Sequence, residues 1–128
     1  MKLLYNDCLY EESNNDIRYG YKVVLFDGKD ALSLADNTVK YPLRKNSIAT
    51  GNMYLATSPK FATDYYYSEP EDESDLPSLL LTYEYHIISD LVKGDPNEQD
   101  AATGGSEIIV KKAKLISALN LVTNKKLF

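Results

Sequence analysis

The sequence predicts an α+β fold that is mostly β, with one or two short helices. Runs of β-favouring residues alternate with turn signals, and the clearest run is LLLTYEYHII at residues 79–88. One segment, residues 51–67, has the pattern of a strand that leads into a capped helix. The hydrophobic fraction of 44% and the charged fraction of 26% are ordinary for a globular protein. The length predicts a single domain, residues 1–128, that buries a core.

The first part of the chain is predicted to be extended, with one short helix. Residues 2–5 and 18–26 have strand-like sequences. Residues 30–35 predict a short helix with two buried leucines. Residues 39–43 are expected to be extended, because Pro42 disfavours helix at and before its own position.

Residues 51–67 predict a Gly–Asn turn, a strand at 53–57 and a helix. Ser58 is a good N-cap and Pro59 suits the first helical position. Hydroxyls and backbone N–H groups at a helix N-terminus can bind a phosphate or the polar edge of a ligand. An ordinary strand–helix junction has the same local pattern, so both interpretations stay open.

The second part of the chain is predicted to be strands joined by long loops. Residues 79–88 predict a central strand covered on both faces. Residues 90–106 predict a loop, residues 107–110 and 113–122 two further strands, and residues 124–128 a loose tail. The acidic run SEPEDESD predicts an exposed loop, which either is simply solvated or meets an electropositive partner.

Composition limits the class of partner. The formal net charge of -5 argues against a nucleic-acid partner, which needs clustered Lys and Arg. No apolar run approaches 18 residues, so no membrane span is expected. The first residues do not match a secretory signal peptide, which predicts a cytoplasmic protein or one delivered into a target cell. The 11 tyrosines suit either stacking on a planar ligand or ordinary strand positions.

Few residues are candidates for chemistry. The only histidine, His86, is expected to share one side of its strand with Glu84 and to be a core residue. The single cysteine, Cys8, excludes an intramolecular disulfide, and no metal site is expected. Glu107 opens a strand after a Gly-rich loop, where a carboxylate suits general base catalysis or simple exposure to solvent.

Three stretches resemble motifs of the ADP-ribosyltransferase family. NMYLATS followed by PKFA resembles the second motif of the family, a strand with Tyr and hydroxyls before a helix. SEIIV resembles the third, in which a glutamate opens a late strand. In the first motif Asn6 replaces the family's His, and Arg18-Tyr19-Gly20 is the rival for that place. The turn Gly94–Asn97 resembles an Asp-containing turn of the small rifampin ADP-ribosyltransferases.

The resemblance implies a core split into two sheets that grip NAD, the substrate. It implies that Glu107 or Asp95 is the catalytic acid. The residues implied to contact NAD are Tyr5, Asn6, Arg18, Tyr54, Thr57, Ser58 and Tyr65. Gly105 stands where family members that modify Arg or Asn often have Glu or Gln, which leaves the acceptor open.

Two functions from different classes follow. The first is a mono-ADP-ribosyltransferase, of the toxin or effector kind, that transfers ADP-ribose from NAD to a protein or other macromolecule. The second is a catalytically inactive protein of the same fold that binds or inhibits a partner through its acidic surface. RNA 2′-phosphate transfer ranks last, because the only arginines are Arg18 and Arg44.

Overall fold

A computed structural model describes residues 16–25, 31–34, 39–65, 78–97 and 105–128. Strands dominate these residues and one short helix accompanies them, so the prediction of a mostly β, α+β fold is confirmed. The strands are β1 (Ile17–Leu25), β2 (Ala31–Leu34), β3 (Val39–Pro42), β4 (Ile48–Ala56), β5 (Ser78–His86), β6 (Leu91–Lys93), β7 (Glu107–Asn120) and β8 (Lys125–Lys126), and the helix is α1 (Pro59–Tyr65). The predicted strand 2–5 and the acidic run 68–75 lie outside the described residues.

The long strand β7 organises the main sheet. Its first half pairs antiparallel with β4 and its second half with β5. The short strands β6 and β8 also pair with it. β1 pairs with β5 along its whole length and meets β4 at one pair, Tyr21 opposite Ala56. The pairings β4–β1–β5–β7–β4 therefore form a closed ring.

The core lies on the inner face of this ring. On β5 the buried hydrophobic residues are Leu79, Leu81, Tyr83 and Tyr85, each at most 2% exposed, and from Leu79 onward they alternate with residues that are half-buried or exposed. β5 is central, as predicted, but the expectation that it is covered on both faces is wrong. An antiparallel strand with one solvated face alternates in this way, and the aromatic residues account for its apolar sequence.

The helix α1 covers part of the outer face. Phe61 and Ala62 pack on Ala56 of β4, together with Tyr21 and other half-buried side chains. The Phe61 N–H donates to the Ser58 hydroxyl oxygen at 3.0 Å, so the predicted N-cap is confirmed. The strand, the cap and the helix thus form where the sequence places them.

Two local predictions before the helix are wrong. Residues 30–35 do not form a helix, because Ala31–Leu34 pair with Val39–Pro42 as a separate two-stranded sheet. The alternation of leucine and serine in this segment has the strand period of two. The Gly51–Asn52 turn is instead a bulge within one continuous strand, β4, with Gly51 at φ 100°.

Three predictions near the C-terminus are also wrong. The two strands expected at 107–110 and 113–122 are one strand of 14 residues. The loop predicted at 90–106 contains β6. The expected loose tail pairs through β8, and the Leu127 N–H donates to the Ala118 carbonyl at 2.8 Å. Phe128 packs against the core, so apolar burial fixes the end of the chain.

Gly20 of β1 lies directly against Leu55 of β4. A Cβ atom at this position would lie 2.7 Å from Leu55 Cδ1 and 2.9 Å from Leu55 Cβ. We expect Gly20→Ala to lower the free energy of unfolding by about 1–3 kcal/mol, because an overpacked core must shift. Urea denaturation measures this change.

A double-mutant cycle isolates the cause. The loss from Gly20→Ala should be smaller in a Leu55→Ala background, which removes two of the close contacts, and unchanged in a Leu79→Ala background. Leu79 is the matched control, since it is equally buried and pairs with Val24, four residues along β1. Equal losses in all three backgrounds would contradict the steric explanation.

Candidate functional site

The pairing of β4 with β7 brings together two of the residues predicted from the sequence. Tyr54 lies opposite Ile109 and Ala56 lies opposite Glu107. Directly opposite residues share a face, so Tyr54 and Glu107 are diagonal neighbours on the outer face of the sheet. Glu107 is exposed and Tyr54 is 44% exposed, so both are accessible to solvent. We call this surface the Tyr54–Glu107 face.

Hydrogen bonds between Thr57 and Ser106 extend the β4–β7 ladder beyond the strands. The Thr57 N–H donates to the Ser106 carbonyl, and the Ser106 N–H donates to the Thr57 hydroxyl oxygen, both at 2.9 Å. Thr57 is buried, and the Ser58 hydroxyl oxygen caps α1. The two hydroxyls therefore hold the strand–helix junction in place, and their contact with NAD stays a prediction.

Gly105 has no room for a side chain. A Cβ atom there would lie 2.7 Å from Thr57 Oγ1, 3.0 Å from Ser58 Oγ and 3.2 Å from Phe61 Cβ. A Glu or Gln two residues before Glu107 would have to displace this junction. The glycine is thus a packing requirement of the fold, and no acceptor-binding side chain is available at that position.

Lys22 is a further residue of this region, and the sequence analysis missed it. It lies on β1, and its Nζ donates to the Tyr54 carbonyl oxygen at 3.3 Å. Burial lowers the pKa of Lys22, and the nearby Glu107 carboxylate opposes this shift. The available signal was a charged residue at an inward position of β1, between Gly20 and Val24. Lys22 thus connects the strands that carry Tyr54 and Glu107.

The turn that carries Asp95 reaches the start of β7. A Cβ atom on Gly94 would lie 3.1 Å from the Glu107 carbonyl oxygen. Asp95 is exposed, and its Oδ1 accepts the Asn97 N–H at 2.9 Å, so the predicted turn is confirmed. Asp95 and Glu107 therefore lie in one region, and which of them is the acid stays open.

Arg18, another of the predicted residues, is not brought to this face. Arg18 lies opposite Tyr85 and shares the inner face with it, whereas Tyr54 points outward. Arg18 Nη1 donates to the Ile17 carbonyl at 3.0 Å. Tyr5 and Asn6 lie outside the described residues, and only the backbone of Tyr65 is described.

A separate pocket of about 170 Å³ lies on the outer side of the ring. We call it the His86 pocket, and its lining residues are Ile48, Glu84, His86, Asp90, Lys112, Ala113 and Lys114. His86 shares this pocket with Glu84, as the strand period predicts. The His86 side chain is 50% exposed, so the expectation of a core histidine is wrong. In the described ranges no three His, Cys, Asp or Glu side chains cluster as metal ligands would.

No protein-family model, curated protein or solved structure matches the chain. Within the described ranges, no helix has the length and apolar character needed to cross a membrane.

The Lys22–Glu107 coupling has a spectroscopic consequence. We expect NMR titration of the Lys22 side chain to give a pKa below the ordinary lysine value of about 10.4, and Glu107→Gln to lower it further. Because the unfolded chain then binds this proton more tightly than the folded one, Lys22 makes stability rise with pH between the two pKa values.

Glu84→Gln is the control variant. It removes the same charge from a different part of the sheet, where Glu84 contacts Lys114. It should leave the Lys22 titration unchanged. An ordinary pKa for Lys22, or the same response to both variants, would contradict the coupling.

Proposed function

We propose that this chain is a mono-ADP-ribosyltransferase that transfers ADP-ribose from NAD to a protein or another macromolecule. The observation that supports the proposal is the Tyr54–Glu107 face, where an exposed aromatic ring and an exposed carboxylate are diagonal neighbours on paired strands. The resemblance implies that both residues lie at the NAD site, and their proximity on paired strands supports that implication.

The chemistry of NAD cleavage uses such a pair. The bond between nicotinamide and the ribose carbon breaks through an oxocarbenium-like state, and a nearby carboxylate stabilises the developing positive charge. The Tyr54 ring offers a flat surface on which nicotinamide can stack. Diagonal neighbours across strands lie about 7–8 Å apart, which suits one ring and the adjoining sugar.

Lys22 acts in this proposal as a positioning residue. Its bond to the Tyr54 carbonyl joins β1 to β4 where the two strands have few other pairings. The negative charge of the Glu107 carboxylate also acts on the Lys22 ammonium and favours its charged form. Lys22 therefore bonds to the backbone that carries Tyr54 and is electrostatically coupled to Glu107, which helps to hold β1 and β4 in place before NAD binds.

The acceptor must attack the ribose carbon without help from a side chain at residue 105. Gly105 has no side chain to orient an incoming nucleophile, and the packing around it leaves no space for one. The acceptor nucleophile therefore attacks the ribose carbon as nicotinamide leaves, and it loses its proton to solvent or to the exposed Asp95. This favours an acceptor group that is already nucleophilic.

Transfer of labelled ADP-ribose from NAD tests the assignment of Glu107. Glu107→Gln should lower the rate about 100-fold or more, because the charge on the carboxylate is lost, and should leave the melting temperature nearly unchanged because the residue is exposed. Glu84→Gln is the control and should keep full activity, since Glu84 pairs with Lys114 away from this face.

Asp95→Asn distinguishes the two candidate acids. Full transfer by Glu107→Gln together with loss of transfer in Asp95→Asn would move the catalytic role to Asp95. If the unmodified protein transfers no ADP-ribose to any acceptor in a lysate of target cells, the proposed transferase activity is contradicted.

The second candidate is an inactive protein of the same fold that engages a partner through acidic charge. The net charge of -5 and the asparagine at position 6 favour it. Calorimetry separates the two functions: no heat and no thermal shift at millimolar NAD would favour the binding protein, whereas saturable heat would favour the enzyme.

A further inference from the structure

We propose that a row of cations beside the second half of β7 binds the phosphate backbone of a nucleic acid. We call this row the basic edge, and its members are Arg44 and Lys45 in the turn before β4 and Lys125 and Lys126 in β8. It lies beside residues 115–120 of β7, which begin about 26 Å of extended strand beyond Glu107. The inference therefore does not depend on the proposed function.

The net charge of -5 does not describe every part of this protein. In the described ranges the acidic residues are Asp16, Asp64, Glu84, Asp90, Asp95 and Glu107. Residues 43–58 and 108–128 contain none of them, although they contribute β4, β8 and almost all of β7. The same two segments contain one arginine and six lysines. Pairing of β4 and β8 with β7 therefore concentrates positive charge in one part of the sheet.

Hydrogen bonds attach the first pair of cations to β7. The Asn46 N–H donates to the Leu115 carbonyl oxygen at 2.7 Å, and the Leu115 N–H donates to the Ser47 carbonyl oxygen at 2.9 Å. Within the turn, the Ser47 hydroxyl donates to the Arg44 carbonyl oxygen at 2.9 Å. Arg44 and Lys45 therefore belong to a turn whose backbone is held against β7.

Strand pairing places the second pair of cations on the same edge of β7. Leu119 lies opposite Leu80 of β5 and also opposite Lys126 of β8, so β5 and β8 flank β7 on different edges. At Lys114, β4 and β5 flank β7 in the same way. The turn before β4 and the strand β8 therefore follow one another along the edge that faces away from β5. Leu115 and Leu119 are about 13 Å apart along the strand, which sets the spacing of the two pairs.

The four cations are exposed, and no described carboxylate forms an ion pair with them. Glu84 reaches β7 from the β5 side and is matched there by Lys114, with 3.5 Å between Oε1 and Nζ. The basic edge differs in this respect from the His86 pocket, whose lining includes Glu84 and Asp90. Its charge is therefore not balanced within the described part of the chain.

The polar neighbours of these cations suit a nucleic acid. Asn46 follows Lys45 and Asn124 precedes Lys125, and each asparagine is exposed with a positive φ, 71° and 60°. Lysine, arginine and asparagine side chains all make contacts to phosphate and sugar in nucleic-acid complexes. A nucleic-acid backbone carries one negative charge per nucleotide, so a row of cations is matched along its length.

We expect binding with little sequence preference. Among the described residues, the exposed aromatic side chains are Tyr19 and Tyr54, and neither belongs to the basic edge. Stacking on bases is therefore not available beside these cations, and contacts to phosphate carry no direct sequence information.

Fluorescence anisotropy with short labelled oligonucleotides of mixed sequence tests the proposal. If all four cations contact phosphates, raising the salt from about 50 to 200 mM should weaken binding about 50-fold for a single strand and about 150-fold for a duplex. The tighter of the two identifies the form of nucleic acid. No saturable binding at 50 mM salt, or an affinity that does not depend on salt, would overturn the proposal.

Two double variants with the same change in charge locate the site. Arg44→Gln with Lys126→Gln should halve the slope of log affinity against log salt, because two of four phosphate contacts are lost. Lys60→Gln with Lys93→Gln removes two exposed lysines from α1 and β6 and should leave the slope unchanged. Equal effects of both variants would show diffuse attraction and would overturn the site.

Other polyanions distinguish the class of partner. Polyglutamate and vesicles that contain phosphatidylserine should bind more weakly than the preferred oligonucleotide at the same salt concentration. Equal or tighter binding of either one would overturn the assignment to nucleic acid. If none of the polyanions binds, the lysines of β8 only protect a sheet edge from pairing with other chains, and the proposed reaction at Glu107 is unaffected.

Discussion

Backbone pairing along β7 is the constraint on which the rest of the structure depends. This strand has neighbours on both edges, with β4 along its first half, β5 along its second half and two short strands beside them. Without a strand of this length, the inner faces of β4 and β5 would not enclose one core. The hydrogen-bond ladder of β7 therefore determines the fold and the relative positions of the surface residues.

Irregularities let one strand satisfy all these partners. The register shifts between Thr50 and Met53 of β4, and again opposite Thr82 and Tyr83 of β5. A bulge increases local twist and bends a strand, so the two halves of β7 can follow different neighbours. The Tyr54–Glu107 face belongs to the first half, whereas the His86 pocket lies where both neighbours flank Lys114.

The helix and strand that have a clear local sequence pattern were predicted correctly. The serine cap, the proline at the first helical position and the apolar face defined α1, and β5 was recognised from its aromatic and aliphatic run. Continuity of β7 was not predictable in this way. Lys111 and Lys112 interrupt its apolar pattern, and only their exposure on a bent strand explains them. The strands β6 and β8 are too short for a pattern and form only because β7 offers free edges.

The candidate site was predictable in part for the same reason. Tyr54 and Glu107 were each recognised from their own segments, and the family resemblance implied one NAD site for both, but no local sequence signal specified that they share a face of the sheet. That depends on the register between two strands 50 residues apart. Lys22 was missed because its position is defined by β1 and β4 together. Asp16 and His86 likewise meet only through the fold.

The register of β4 against β7 is the central claim, and a designed disulfide tests it directly. In a Cys8→Ser background, Tyr54→Cys with Ile109→Cys should oxidise to a bond, because opposite residues have Cα atoms about 4.5–5.5 Å apart and side chains on one face. Tyr54→Cys with Ile108→Cys should stay reduced, because these side chains point to opposite faces. A bond in the second pair, or none in the first, would contradict the register and with it the Tyr54–Glu107 face.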